Sequence, residues 1–185
     1  MAVSAQNLTD TTGIQLKDAF VVILKTEWNA TIVDELEKGC IRILKENNVA
    51  FKTITVPGAM ELPYAVNKYW QHVKELEEDD LLDEEFLLEI EKLDKFKPKK
   101  IVFPDAFITL GCVIKGDTPH FDYVCAGVTQ GIMQLNTNLP IPTIYGVLTV
   151  NNEEQAKERL GGKHGHKGEE AAAAAIKMMA MVDGL

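Results

Sequence analysis

Residues 106–125 read AFITLGCVIKGDTPHFDYVC. The first nine are apolar apart from Thr109 and Gly111, the pattern of a strand covered on both faces. Lys115, Gly116, Asp117, Thr118, Pro119 and His120 then break the run. Thr118 is a favoured N-cap and Pro119 suits the first helical position, so a helix is predicted to begin at this turn. Phe121, Val124, Cys125, Val128, Ile132 and Leu135 continue at helical spacing. A buried strand running straight into an amphipathic helix is the repeating unit of a parallel sheet with helices on its faces.

The same unit recurs on either side. Upstream, residues 19–24 (AFVVIL) form a short apolar run closed by KTEWN. Ile32, Val33, Leu36, Cys40, Ile43 and Leu44 then follow a helical stripe that stops at Asn47 and Asn48. Residues 49–56 read as a second strand, ended by Pro57 and Gly58. A further helix is predicted from Met60 or Glu61 onward, carrying Leu62, Ala65, Val66, Tyr69 and Trp70. Downstream, residues 142–150 form the next strand, and helices are predicted over 153–160 and 169–181. The second of these includes five consecutive alanines, which allow close packing on a sheet. The order implies an α/β fold with right-handed crossovers and ligands at the carboxyl ends of the strands.

Residues 74–100 interrupt this alternation. They hold eleven acidic and six basic residues and so supply −5 of the formal charge of −9. Leu82, Phe86, Ile90 and Leu93 share one helical stripe, which predicts an amphipathic, solvated helical insertion within a single domain spanning residues 1–185. An acidic partner-binding arm is the alternative reading.

A chain of 185 residues is long enough for one two-sided core. Its net negative charge argues against a nucleic-acid surface, which needs clustered Lys and Arg. No apolar run approaches the roughly 20 residues that span a bilayer, and the first twenty residues carry no secretory pattern. Cys40, Cys112 and Cys125 are odd in number and set in apolar surroundings, so buried free thiols and a cytoplasmic location are expected.

Three unusual turns fall at predicted strand ends: Trp28-Asn29, residues 56–61 (VPGAME), and Lys115 to His120. At the last, free amides at a helix start form an anion site, with Gly116 permitting close approach and the Thr118 hydroxyl as a donor. His120, in the first helical turn, is suited to move protons near neutral pH. Arg159 offers a planar fork for phosphate in the segment ERLGGKHGHKG. His164 and His166 lie two apart there, but no third ligand defines a metal site. Trp28 can stack on a flat heteroaromatic ring, and Glu61 either complements a helix dipole or meets a ligand.

Trp28-Asn29, residues 58–63 (GAMELP), Gly111 to Cys125, residues 145–149 (YGVLT), and residues 154–168 together resemble the lumazine synthase family. The likeness covers nearly the whole chain in order, except the N-terminal tail and residues 74–100. That acidic segment resembles insertions of fungal members in composition. The resemblance implies a three-layer α/β/α sandwich with a four-stranded parallel sheet, assembled into pentamers with active sites between subunits. It implies condensation of 5-amino-6-(ribitylamino)uracil with 3,4-dihydroxy-2-butanone 4-phosphate, two small-molecule substrates, with no metal and no organic cofactor. Trp28 matches the aromatic that stacks on the pyrimidine, with Asn29 beside it. Ala59, Met60 and Glu61 match the ribityl-binding segment, and Cys112, Val113 and Ile114 the strand end that reads the uracil edge. Gly116, Asp117 and Thr118 match the butanone phosphate turn, His120 the proton-transfer histidine, and Arg159, with Lys163 nearby, the phosphate arginine. Tyr145 stands where the family usually has Phe, which retains the ring.

Two other readings remain open from the residues alone. A flavin- or lumazine-binding scaffold would use the same tryptophan without turnover. An unrelated phosphate-binding hydrolase or transferase would need a nucleophile elbow or glycine-rich nucleotide loop, and neither motif is present.

Overall fold

Hydrophobic alternation along the strands sets the layers of this chain. In the computed structural model, which describes residues 8–82 and 103–185, β1 (Phe20–Thr26) sends Val21 and Ile23 to one face and Val22 and Leu24 to the other, all fully buried. The remaining strands of the main sheet are β2 (Ala50–Val56), β3 (Ala106–Ile114) and β4 (Thr143–Val150). They pair in parallel in the order β2-β1-β3-β4, so their carboxyl ends meet at one edge of the molecule.

Helices cover both faces. On one lie α1 (Ala30–Glu46) and the C-terminal α5 (Lys167–Asp183); on the other lie α2 (Leu62–Leu82) and α3 (His120–Asn138). The result is a three-layer α/β/α sandwich around a four-stranded parallel sheet, as expected. Leu36, Cys40 and Leu44 of α1 pack with Ala172, Ala175 and Ile176 of α5 and with Ile108 and Leu110 of β3. Leu62, Val66, Val128 and Ile132 pack around Phe107 and Val147 on the opposite side. Phe107 has no exposed surface and meets Tyr69 edge-on, centroids 5.9 Å apart. Truncating it to alanine costs about 3–5 kcal/mol through lost burial and the void left behind.

The structure revises four expectations. Pro119, not Thr118, occupies the cap position of α3, and no side chain caps it; the Pro119 carbonyl instead accepts from the amide of Asp122 at 3.0 Å. Pro119 takes helical dihedrals, so the turn tightens one residue later than the Thr-Pro pattern suggests. Residues 74–82 continue α2 rather than opening a new element, and the rest of the predicted insertion stripe (Phe86, Ile90, Leu93) lies outside the described residues. The helix predicted over 153–160 shortens to α4 (Glu153–Lys157), capped by the Asn152 side chain. A small antiparallel hairpin follows it, β5 (Leu160–Gly162) with β6 (Gly165–His166). Finally, Cys40 and Cys112 are buried free thiols, but Cys125 is only half-buried.

Candidate active site at the strand carboxyl ends

The turns after β1, β2 and β3 converge at the sheet's carboxyl edge, and backbone bonds hold them there. The Trp28 amide donates to the Pro57 carbonyl at 3.3 Å, and the Thr26 hydroxyl donates to the Trp28 carbonyl at 3.2 Å. Asn29 adopts left-handed dihedrals, φ 58 and ψ 39, and its side-chain amide donates to the Cys112 carbonyl at 2.8 Å. The indole of Trp28 is thereby presented to solvent, 73% exposed, at the mouth formed by these turns.

Residues 59–61 form a single 3₁₀ turn after β2, begun by the Glu61 amide donating to the Gly58 carbonyl. Ala59 is half-buried, while Met60 and Glu61 are exposed, and both the Glu61 carboxylate and the Trp28 ring lie beside Gly58. The Met60 thioether rests against Gly127 of α3. Trp28, Asn29, residues 58–61 and Cys112 are therefore one contiguous group. Together they offer an exposed aromatic face and a carboxylate beside a strand end.

Cys112 is buried, and Val113 and Ile114 are half-buried. Burial pushes the Cys112 thiol up to about 11, so it stays protonated at neutral pH and offers no thiolate nucleophile.

Beyond Ile114 the chain turns outward, with the Lys115 amide donating to the Val150 carbonyl at 2.8 Å. Gly116, Asp117, Thr118 and His120 are all exposed. A methyl group placed on Gly116 would meet nothing within 4 Å, so the turn faces open space that a ligand can enter. Among the described residues no side chain caps the start of α3, and a helix start of this kind suits an anion.

Tyr145 and Arg159 come from elements other than that turn. Tyr145, on the edge strand β4, is 37% exposed, and its hydroxyl accepts from Thr129 of α3 at 3.2 Å. Burial raises the Tyr145 hydroxyl's pKa, the Thr129 bond lowers it, and nearby Cys125 adds to the rise. Arg159 follows α4 and is half-buried, with Nη1 donating to the Gln155 carbonyl at 2.7 Å. The hairpin carrying it and exposed Lys163 packs with α1 and α5, the face opposite to α3. No bond among the described residues joins Arg159 to the His120 turn.

Sequence reasoning missed a further pair. A cavity of about 210 Å³ runs along the free edge of β4, lined by Tyr145, Gly146, Leu148, Lys167, Glu170 and Ala174. Lys167 Nζ donates to both Glu170 oxygens, at 2.9 and 2.7 Å. The signal was present as a Lys and a Glu three apart at a helix start, but only the fold brings them beside Tyr145.

The two loop histidines do not meet each other or a common ligand set. His164 Nε2 lies 3.5 Å from Glu158, whereas the His166 ring packs against Gly39 of α1. No helix among the described residues is long and apolar enough to cross a membrane.

Comparison with known proteins follows the same lines. A family profile described as 6,7-dimethyl-8-ribityllumazine synthase matches residues 18–81 and 85–183. A protein of that description from Bacteroides fragilis is 43% identical over 163 residues, 86% of this chain and 94% of its own length. Another from Porphyromonas gingivalis is 41% identical over 184 residues, covering 96% of each chain. A third, from Parabacteroides distasonis, is 38% identical and covers 97% of this chain and 98% of its own.

Proposed function

The chain belongs to the 6,7-dimethyl-8-ribityllumazine synthase family, and we propose that it works as a homopentamer whose active sites lie between subunits. The chain condenses 5-amino-6-(ribitylamino)uracil with 3,4-dihydroxy-2-butanone 4-phosphate to give 6,7-dimethyl-8-ribityllumazine, the penultimate step of riboflavin synthesis. The observation that best supports a shared site is the separation of its halves. The pyrimidine mouth and the His120 turn lie at the strand ends on the α3 side, while Arg159 and Lys163 ride a hairpin on the other face.

In this reading Trp28 stacks on the pyrimidine, and the backbone at Cys112, Val113 and Ile114 holds the uracil edge. Ala59, Met60 and Glu61 bind the ribityl chain. The open turn at Gly116, Asp117 and Thr118 takes the butanone phosphate, completed by Arg159, Lys163 and Tyr145 from a neighbouring subunit. The free edge of β4 with its cavity is where that neighbour docks.

The chemistry needs no covalent bond to the protein. The ring amine attacks the butanone carbonyl, and loss of water gives an imine. Phosphate then leaves, and ring closure with a second dehydration completes the product. Orientation of two bound substrates accounts for most of the acceleration. His120 moves protons between the substrate carbons and oxygens, contributing about 10²–10⁴-fold. The substrates supply the leaving group and the redox balance, so no cofactor enters. A soluble cytoplasmic setting is in keeping with phosphorylated and polyol substrates.

The test mixes both substrates with purified protein and follows lumazine fluorescence. Product formation dependent on both substrates is expected. A protein that binds lumazine or riboflavin yet forms no product would be a flavin-binding scaffold instead.

A further inference from the structure

We propose that His166 is a positioning residue: its imidazole, seated in a notch at Gly39 of α1, fixes the hairpin that presents Arg159 and Lys163 to the phosphate. This rests on the phosphate role proposed above for Arg159.

The hairpin has little rigidity of its own. Its strands are three and two residues long, and Gly161 and Gly165 have positive φ, 101 and 74. Besides the pairing of Gly162 with Gly165, three backbone bonds or pairings set its path. Leu160 pairs with His166, the Lys167 amide donates to the Arg159 carbonyl at 2.9 Å, and the His164 amide donates to the Glu158 carbonyl at 3.2 Å. These bonds close the loop and tie it to the end of α4 and the start of α5, and none of them reaches α1.

The attachment is made by packing. A methyl group at Gly39 would come within 2.5 Å of His166 Nδ1 and 2.7 Å of Nε2, so the ring fills the space a side chain would need. A methyl at Gly168 would come within 2.7 Å of the Leu36 carbonyl carbon. Leu36 and Gly39 lie one turn apart on α1, so both ends of the β6–α5 junction grip the same stretch of helix. Glycine inside a helix costs about 0.5–1 kcal/mol relative to alanine. Its use at Gly39 therefore points to the contact. His166 Nδ1 is buried with no hydrogen-bond partner among the described residues, so shape rather than bonding seats the ring. Arg42 and Glu169 pair beside the junction at 2.5 Å and hold α5 to α1.

Arg159 sits seven residues before the wedge in sequence but adjoins it in the hairpin, because its carbonyl is bonded to the residue after His166. Removing the ring frees the hairpin to shift on α1 and takes the guanidinium with it. The effect should fall on phosphate recognition and spare the pyrimidine mouth on the other face.

The experiment compares the native protein with His166→Ala, Gly39→Ala and the double variant. It reads both KM values, kcat, the melting temperature, and inorganic phosphate binding by titration calorimetry. His166→Ala should weaken phosphate binding and raise the butanone phosphate KM by about three- to tenfold, with the pyrimidine KM unchanged and kcat within about twofold. Gly39→Ala should do the same in the native background and nothing further in the His166→Ala background, where the methyl occupies vacated space. Unchanged phosphate binding in both single variants overturns the proposal. So do additive effects in the double variant, or a parallel fall in every parameter with the melting temperature. Calorimetry keeps the two questions apart: weakened phosphate binding without condensation activity would refute the functional reading alone.

Discussion

The side chain of Asn29 ties the end of β1 to the end of β3, its amide donating to the Cys112 carbonyl at 2.8 Å across 83 residues of sequence. The same residue holds left-handed dihedrals, which cost most residues about 1–2 kcal/mol but which Asn tolerates. One residue thus links the turn that carries Trp28 to the end of β3. Asn29→Gly keeps the dihedrals and loses only the bond, so the pyrimidine KM should rise about fivefold, matching roughly 1 kcal/mol. Asn29→Ala loses both and should cost more in melting temperature and in KM. Equal losses in the two variants would show that the backbone conformation is not part of the site.

His120 and Arg159 should separate kinetically. His120→Ala is expected to lower kcat by about 10²–10⁴-fold with little change in either KM. Arg159→Ala should chiefly raise the butanone phosphate KM. Because the site is proposed to lie between subunits, assemblies mixed from the two variants should recover activity at sites pairing an intact His120 with an intact Arg159. Steady-state rates of the mixture, compared with the sum of the separate variants, decide this.

Tyr145 already has a partner for its hydroxyl in Thr129. Replacing it with Phe removes one exposed hydrogen bond and keeps the ring, so stability should change by no more than about 1 kcal/mol. Tyr145→Ala, which removes the ring beside the β4 cavity, should lower activity much further. Comparing the two in the condensation assay separates ring from hydroxyl.

Stability should fall at alkaline pH. Burial pushes Cys40 up to about 12 and Cys112 up to about 11, from 9.0 in the unfolded chain. Hydrogen bonds first to Glu37 and then to Asp34 raise Lys25 above 10.5. In each case the folded form binds its proton more tightly than the unfolded form. Stability is therefore full below pH 9 and lost as pH rises toward 12, with Cys40 alone removing up to about 4 kcal/mol. Melting temperatures should be level from pH 7 to about 8.5 and then decline. Cys40→Ala, though less stable at pH 7, should show a shallower decline.

The layers and the meeting of the three turns at the strand ends were legible because they rest on local signals. Buried parallel strands announce themselves as runs such as residues 19–24 and 106–114, and the exposed Trp28, Met60 and His120 sit where such strands end. Three features were illegible for physical reasons. The hairpin at residues 160–166 is too short and too glycine-rich for any periodicity. The fit of His166 against Gly39 joins positions far apart in the chain, and a glycine in a helical stripe carries no mark of what fills its space. Thr118 has the chemistry of a cap but stands one residue too early, since Pro119 already has the helical φ and takes the cap position.

A crystal structure of the assembled protein with bound inorganic phosphate tests most directly whether one subunit's turn and another's arginine share a substrate. Phosphate should lie against the amides that open α3 beyond Gly116, next to His120, with the guanidinium of Arg159 reaching it across a subunit boundary. Phosphate bound elsewhere with that turn vacant, or Arg159 remote from every His120 in the assembly, would contradict it.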